Sequence, residues 1–175
     1  MRVKDVIRAP KSGIEWGKWR QEKMPASAFP LKKGKRKSYM LPASWRWRIV
    51  KFDALSCSFR VLIAYRPDLE EFKALLGLDQ SGDTTVLIDL AYHGSHPGWH
   101  AHSWCAPFER AVSGVMRYPG LRRIPAGRRR HRATQYVSGG GQMNDAYALQ
   151  IIVERFNIAE APGPLFSNNL QGGGT

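Results

Sequence analysis

The sequence predicts an α+β domain, an antiparallel sheet with helices on one face, in the order β-β-α-β-β-α and preceded by a basic N-terminal arm. Three observations predict it. β-Branched and aromatic residues recur in short blocks from Trp45 onward. Two stretches, 67–77 and 144–156, space apolar residues three and four apart, as a half-buried helix does. Residues 1–44 show no sustained period, are broken by Pro10, Pro25, Pro30 and Pro42, and carry the run Lys32, Lys33, Gly34, Lys35, Arg36, Lys37.

Each element follows in order. Within the arm, Trp16, Trp19 and Phe29 lie among cations, where they either stack on bases or pack back on the domain. Residues 46–52 and 59–65 read as two strands. A helix is expected next. Pro67 and Asp68 open it, Glu71 stands where a capping box wants a carboxylate, and Leu69, Phe72, Leu75 and Leu76 form an apolar face ending at Gly77. Residues 80–83 make a turn. The runs 84–92 and 99–105 then read as a hairpin around His96, Pro97 and Gly98. Residues 106–141 form a basic loop with a short helix near 109–116, and Asn144 or Asp145 caps a last helix through Phe156. The single domain spans 45–160, and residues 161–175, rich in Gly and Asn, form a flexible tail. Without the first strand this order is most of the split β-α-β arrangement called ferredoxin-like, which leaves one sheet face open for binding.

Composition narrows the function classes. Hydrophobic residues at 43% and charged residues at 23% are globular values, and the apolar runs are too short for a membrane-spanning helix. The N-terminus lacks the apolar core of a signal peptide, and two cysteines make no disulfide framework, so a cytoplasmic location is expected. The net charge is +13. It is concentrated: residues 1–48 hold 14 basic and 3 acidic side chains, and residues 117–132 hold 7 basic and no acidic ones. A polyanionic partner is the usual physical reason for such self-repulsion, so nucleic acid, DNA or RNA, is the expected partner. Its candidate contacts are Lys32, Lys33, Lys35, Arg36, Lys37, Arg46, Arg48, Arg122, Arg123, Arg128, Arg129, Arg130 and Arg132. Trp45 and Trp47 alternate with Arg46 and Arg48, as on a strand that combines stacking with charge or on an amphipathic edge strand.

Four of the five histidines, His93, His96, His100 and His102, fall within ten residues. If Pro97 and Gly98 are the central turn residues, position i pairs with 195 minus i, and His93 opposes His102. Cross-strand partners share a face, so His93, His100 and His102 lie together with Ser95, Trp104 and a more distant Asp89. Three imidazoles so placed suit zinc, manganese or iron, and magnesium completes the divalent ions that phosphate chemistry commonly uses. A one-residue bulge would move His93 to the other face and leave His100 and His102 together. The competing reading has these histidines stacking or hydrogen bonding at an edge hairpin, with His96 a turn residue and His131 a contact to phosphate or water.

The strand segment His100-Ala101-His102 resembles the His-hydrophobic-His signature of the HUH endonucleases, the relaxases, replication initiators and single-strand transposases. That resemblance implies a divalent metal held by the paired histidines and a helix tyrosine that attacks a DNA phosphodiester. It makes Tyr147 the nucleophile, assisted by His93, with Gln150 or Glu154 as a further ligand. It covers about ten residues. His93-Gly94-Ser95-His96-Pro97 also looks like the His-x-His-Pro strand end of the JAMM metalloproteases, but with one extra residue and without the downstream Ser-x-x-Asp. The expectation is a nucleic-acid-binding protein, either a metal-dependent endonuclease or strand-transfer enzyme, or a non-enzymatic binder.

Overall fold

The computed structural model describes residues 1–33, 40–93, 98–124, 136–137 and 141–159. Its centre is one seven-stranded antiparallel sheet in which each strand pairs with its sequence neighbour, in the order β1 to β7. The strands are β1 (Ser12–Glu15), β2 (Arg46–Ala54), β3 (Cys57–Arg66), β4 (Glu71–Gln80), β5 (Asp83–His93), β6 (His100–Trp104) and β7 (Leu121–Ile124). Two α-helices are present among the described residues, α1 (Val3–Arg8) and α2 (Asp145–Phe156). This meander replaces the ferredoxin-like order, because no helix separates β3 from β5.

The expected helix over 67–77 is strand β4. Its residues favour helix by propensity, but β3 and β5 offer it a ladder on both sides, and both of its faces are buried. Phe72, Ala74, Leu76 and Leu78 join one core cluster while Leu75 joins the other, so the run is apolar on both faces and its spacing suits either structure. The capping signal makes a turn instead, with the Glu71 amide donating to the Leu69 carbonyl at 2.8 Å. Two-residue turns at Leu55–Ser56 and Ser81–Gly82 hold all four residues at positive φ, the backbone that matches hairpin twist.

Two layers cover the sheet. On one side α1, α2 and Tyr136, Val137 and Met143 pack on Val50, Phe52, Phe59, Val61, Ile63 and Leu76. Asn144 caps α2 by accepting from the Tyr147 amide at 2.9 Å. On the other side Met24, Phe29, Leu31 and Leu41 pack on Trp47, Leu62, Ala64, Leu75 and Val86. The segment read as an arm therefore lies along the sheet: β1 pairs with β2, and Arg20 and Trp47 exchange two backbone hydrogen bonds of 2.9 Å. Its prolines break periodicity without preventing burial. Burying each large apolar side chain contributes roughly 1.5–3 kcal/mol, which is what holds an irregular segment down.

Among its described residues the 106–141 stretch, read as a loop, contains β7 and a 3-10 turn at Phe108–Arg110 in place of the expected short helix. β7 is only four residues long and carries Arg122 and Arg123, features that blunt a sheet edge. Among the described residues no helix is long and apolar enough to cross a membrane.

Candidate functional site

The polar residues of the sheet gather on one face of β4 to β7. Along β5, Ile88, Leu90 and Tyr92 belong to the core under the helices, so Asp89, Ala91 and His93 point to the opposite face. His102 pairs directly with Asp89, and His100 with Ala91. Glu71 pairs with His93, Lys73 with Ala91, and Arg123 of β7 with His102. These residues lie on the same side as the Met24 and Phe29 layer, where Leu75 of that layer pairs with Asp89.

The hairpin register differs from the expected one. Positions pair as i with 191 minus i, and the ladder between the two strands ends at Ala91 and His100. The offset is even, so each side chain keeps its predicted face; burial of Leu90, Tyr92 and Ala101 on the helix side enforces that parity. The consequence is chemical. Asp89, expected at a distance, stands directly opposite His102. Ring centroids are 5.4 Å apart for His93 and His100 and 5.6 Å apart for His100 and His102, so the three imidazoles form a row.

Asp89 is fully buried. Its Oδ2 accepts from an Arg117 guanidinium nitrogen at 2.9 Å, and its Oδ1 lies 3.8 Å from the Lys73 ammonium with no hydrogen bond from any described residue. The neighbouring Glu71 is matched by Arg66 at 3.4 Å. The Asp89 carboxylate thus meets Lys73 and Arg117, with Arg123 opposite His102 on the next strand, and the face carries excess positive charge. Burial holds the His102 imidazole below its ordinary value of 6.5; Arg117 adds to the effect, His100 and Arg123 act in the same sense, and Asp89 opposes it. His102 Nδ1 is also buried, without a hydrogen-bond partner among the described residues. His100 Nδ1 faces the Gly98 carbonyl at 3.4 Å, and since a carbonyl only accepts, that nitrogen carries the proton.

The set expected from the endonuclease resemblance is not brought together. Tyr147 packs against the core on the helix side of the sheet, and Gln150 donates to Glu154 at 2.9 Å on the exposed side of α2. The histidines occupy the other face, so a sheet separates the tyrosine, Gln150 and Glu154 from His93, His100 and His102. Among the described residues no three His, Cys, Asp or Glu side chains are arranged to hold a metal ion. The cations around Asp89 give the physical reason, since they compete with a metal for its carboxylate. Tyr147, Gln150 and Glu154 therefore do not share one site with the histidine row.

The basic residues divide. Arg46 does not face a ligand: its Nε and a terminal nitrogen reach both Asp145 oxygens at 2.6 and 2.5 Å, and the Tyr65 hydroxyl donates to the same carboxylate at 2.8 Å. Arg48 is buried, donates to the Trp16 carbonyl at 2.7 Å and lies over the rings of Trp16 and Trp19. Both fasten the helix side of the fold. Trp47 is likewise buried rather than offered for stacking. Lys32 and Lys33 are exposed, with the Lys32 amide donating to Asp83 at the β4–β5 turn. Arg122 is exposed on β7, while Arg123 is half-buried beside His102. Lys35, Arg36, Lys37, His96, Arg128, Arg129, Arg130, His131 and Arg132 lie outside the described residues.

Lys73 and the central role of Asp89 escape a reading of the sequence. Lys73 sits inside a segment that reads as helix. Asp89 did leave a signal: a lone carboxylate within the apolar run 84–92 must be buried with a partner. Compared with models of protein families, with curated proteins and with solved structures, the chain matches none of them.

Proposed function

We propose that this protein binds nucleic acid, and that the face of β4 to β7 carrying Lys73, Arg117, Arg123 and the histidine row forms part of the binding surface. One observation carries the reading: Lys73 and Arg117 meet a single buried carboxylate whose strand partner His102 lies beside Arg123 and in a row with His100 and His93, on a chain whose net charge is +13. Buried polar groups are costly unless they are paired, and phosphate is the ligand that an excess of guanidinium groups suits best. Arg117 is half-exposed and holds Asp89 with one nitrogen, which leaves donors of its planar fork for a phosphate. The Lys32, Lys33 and Arg122 side chains extend the cationic surface at the sheet's margins.

The test is fluorescence anisotropy with labelled single-stranded DNA, single-stranded RNA and duplexes across a salt series. The expected result is salt-dependent binding, with Arg117→Ala/Arg123→Ala weakening it and lowering the log–log salt slope by about 0.7–0.9 for each phosphate no longer neutralised. Affinity and slope unchanged in that double variant would remove this face from the binding surface. Absence of salt-dependent binding by the wild type would overturn the reading as a whole.

A further inference from the structure

Arg48 carries more hydrogen-bonding capacity than the fold uses. A guanidinium has five N–H donors, and on Arg48 one is committed, from Nε to the Trp16 carbonyl at 2.7 Å. The other four, on the terminal nitrogens, make no hydrogen bond to a described residue. Nor is a carboxylate of the described residues bonded to them: Asp145, the acid that acts on Arg48, already accepts from Arg46 and from the Tyr65 hydroxyl. Yet Arg48 is only 9% exposed. Burial holds its guanidinium below the ordinary value of 12.5, and Asp145 opposes that effect.

The surroundings of this cation are aromatic. Its Cζ lies 6.0 Å from the centroid of the Trp16 ring and 5.8 Å from that of Trp19, whose ring also stands 6.0 Å from Arg46 Cζ. Trp19 meets Tyr65 edge-on, 5.6 Å away. Ring faces attract a cation but give its N–H groups no acceptor in the ring plane. The Trp19 indole adds a further donor, since its Nε1 is buried without a partner. Among the described residues it is the one atom of this cluster both sealed and unpartnered, so the Arg48 terminal nitrogens keep the solvent contact that the residue has. Two guanidiniums and one carboxylate leave the cluster with a positive charge and surplus donors. What completes it is a group that only accepts and that carries negative charge.

We infer that Arg48, between Trp16 and Trp19, binds a small oxyanion, the carboxylate or phosphate group of a small molecule. Two oxygens of such a group match the paired terminal nitrogens of the guanidinium, a geometry that chloride does not offer. A turn of the half-buried Trp19 indole brings its N–H to the same ligand. The flanking rings lower the local dielectric and so strengthen each of these bonds. Arg48 projects to the same side of β2 as Val50 and Phe52, which belong to the helix-side core, whereas His93, His100 and His102 occupy the opposite face. The site is therefore separate from the nucleic-acid face and stands or falls independently of it.

The experiment titrates the full chain with sodium phosphate and, separately, with sodium acetate, while sodium chloride holds the ionic strength constant. Proton–nitrogen correlation NMR follows the indole N–H signals, and loss of one signal in Trp19→Phe identifies that of Trp19. The expected result is a saturable shift of the Trp19 signal; the salt that saturates it at the lower concentration identifies the oxyanion as phosphate or carboxylate. Arg48→Lys keeps the charge without the fork and weakens binding by at least about 10-fold. Arg48→Met repeats the loss should Arg48→Lys misfold. Arg117→Ala/Arg123→Ala leaves the affinity unchanged. Absence of a saturable shift in both salts overturns the inference, as does an affinity that survives Arg48→Lys and Arg48→Met. Loss of the shift in Arg117→Ala/Arg123→Ala also overturns it, because the anion then sits on the other face.

Discussion

Asp89→Ala is expected to be among the most damaging single polar substitutions in the sheet. The Asp89 side chain is 1% exposed and faces the Lys73 ammonium, itself 16% exposed, and the Arg117 guanidinium, which is 53% exposed. Removing one partner of a buried pair costs about 3–5 kcal/mol, because the remaining charge stays desolvated. Lys73 bears that cost, whereas Arg117 turns to water and loses at most about 1 kcal/mol, as exposed pairs do. The low end, about 3 kcal/mol, applies, and at 2–4 °C per kcal/mol for a chain of this size it lowers Tm by about 6–12 °C. Urea unfolding measures it as a shifted midpoint at constant slope. The decisive comparison is Lys73→Met/Asp89→Leu. Leu75 and Leu62 continue the same row across β4 and β3, so apolar side chains are accommodated and the double variant recovers most of the loss. The reasoning is refuted if Asp89→Ala stays within about 0.5 kcal/mol of wild type, or if the double variant is as unstable as the sum of its singles.

Three further outcomes are expected. A Cβ at Gly77 would lie 2.3 Å from Thr84 Cγ2 and 3.2 Å from Phe29, so Gly77→Ala costs about 1–3 kcal/mol in urea unfolding; a neutral result would mean the bulge beside it relaxes freely. Phe29→Ala empties a fully buried position between the N-terminal segment and the sheet, and costs about 3–5 kcal/mol; a loss below 1 kcal/mol would show that the segment is dispensable to the core. Because burial lowers the His102 pKa from 6.5, the unfolded chain binds that proton more readily than the folded one. The associated stability is present above 6.5 and is lost as pH falls through 6.5 toward the folded value. Tm measured against pH in this acidic range should fall more steeply for the wild type than for His102→Gln, and equal slopes would count against a depressed pKa.

Where local chemistry decides the structure, the sequence was sufficient. Strands β2, β3, β5 and β6 follow from blocks of Val, Ile, Phe, Tyr and Trp, the 80–83 turn from Gln80-Ser81-Gly82-Asp83, and α2 from Asn144 and its apolar face. The shared face of His93, His100 and His102 also followed, since a two-residue period survives any even change of register. Tertiary structure decided the rest. Residues 71–80 are apolar enough for a helix or a doubly buried strand, and only the flanking ladders of β3 and β5 select the strand. The N-terminal segment has no period to read because Met24, Phe29, Leu31 and Leu41 bury themselves singly from an irregular backbone. Tyr147 looked available to the histidines along the chain, yet the sheet stands between them. The opposition of Asp89 to His102 depends on a connection length that local preferences leave open, and packing of Leu90, Tyr92 and Ala101 against the helix-side core settles only its parity.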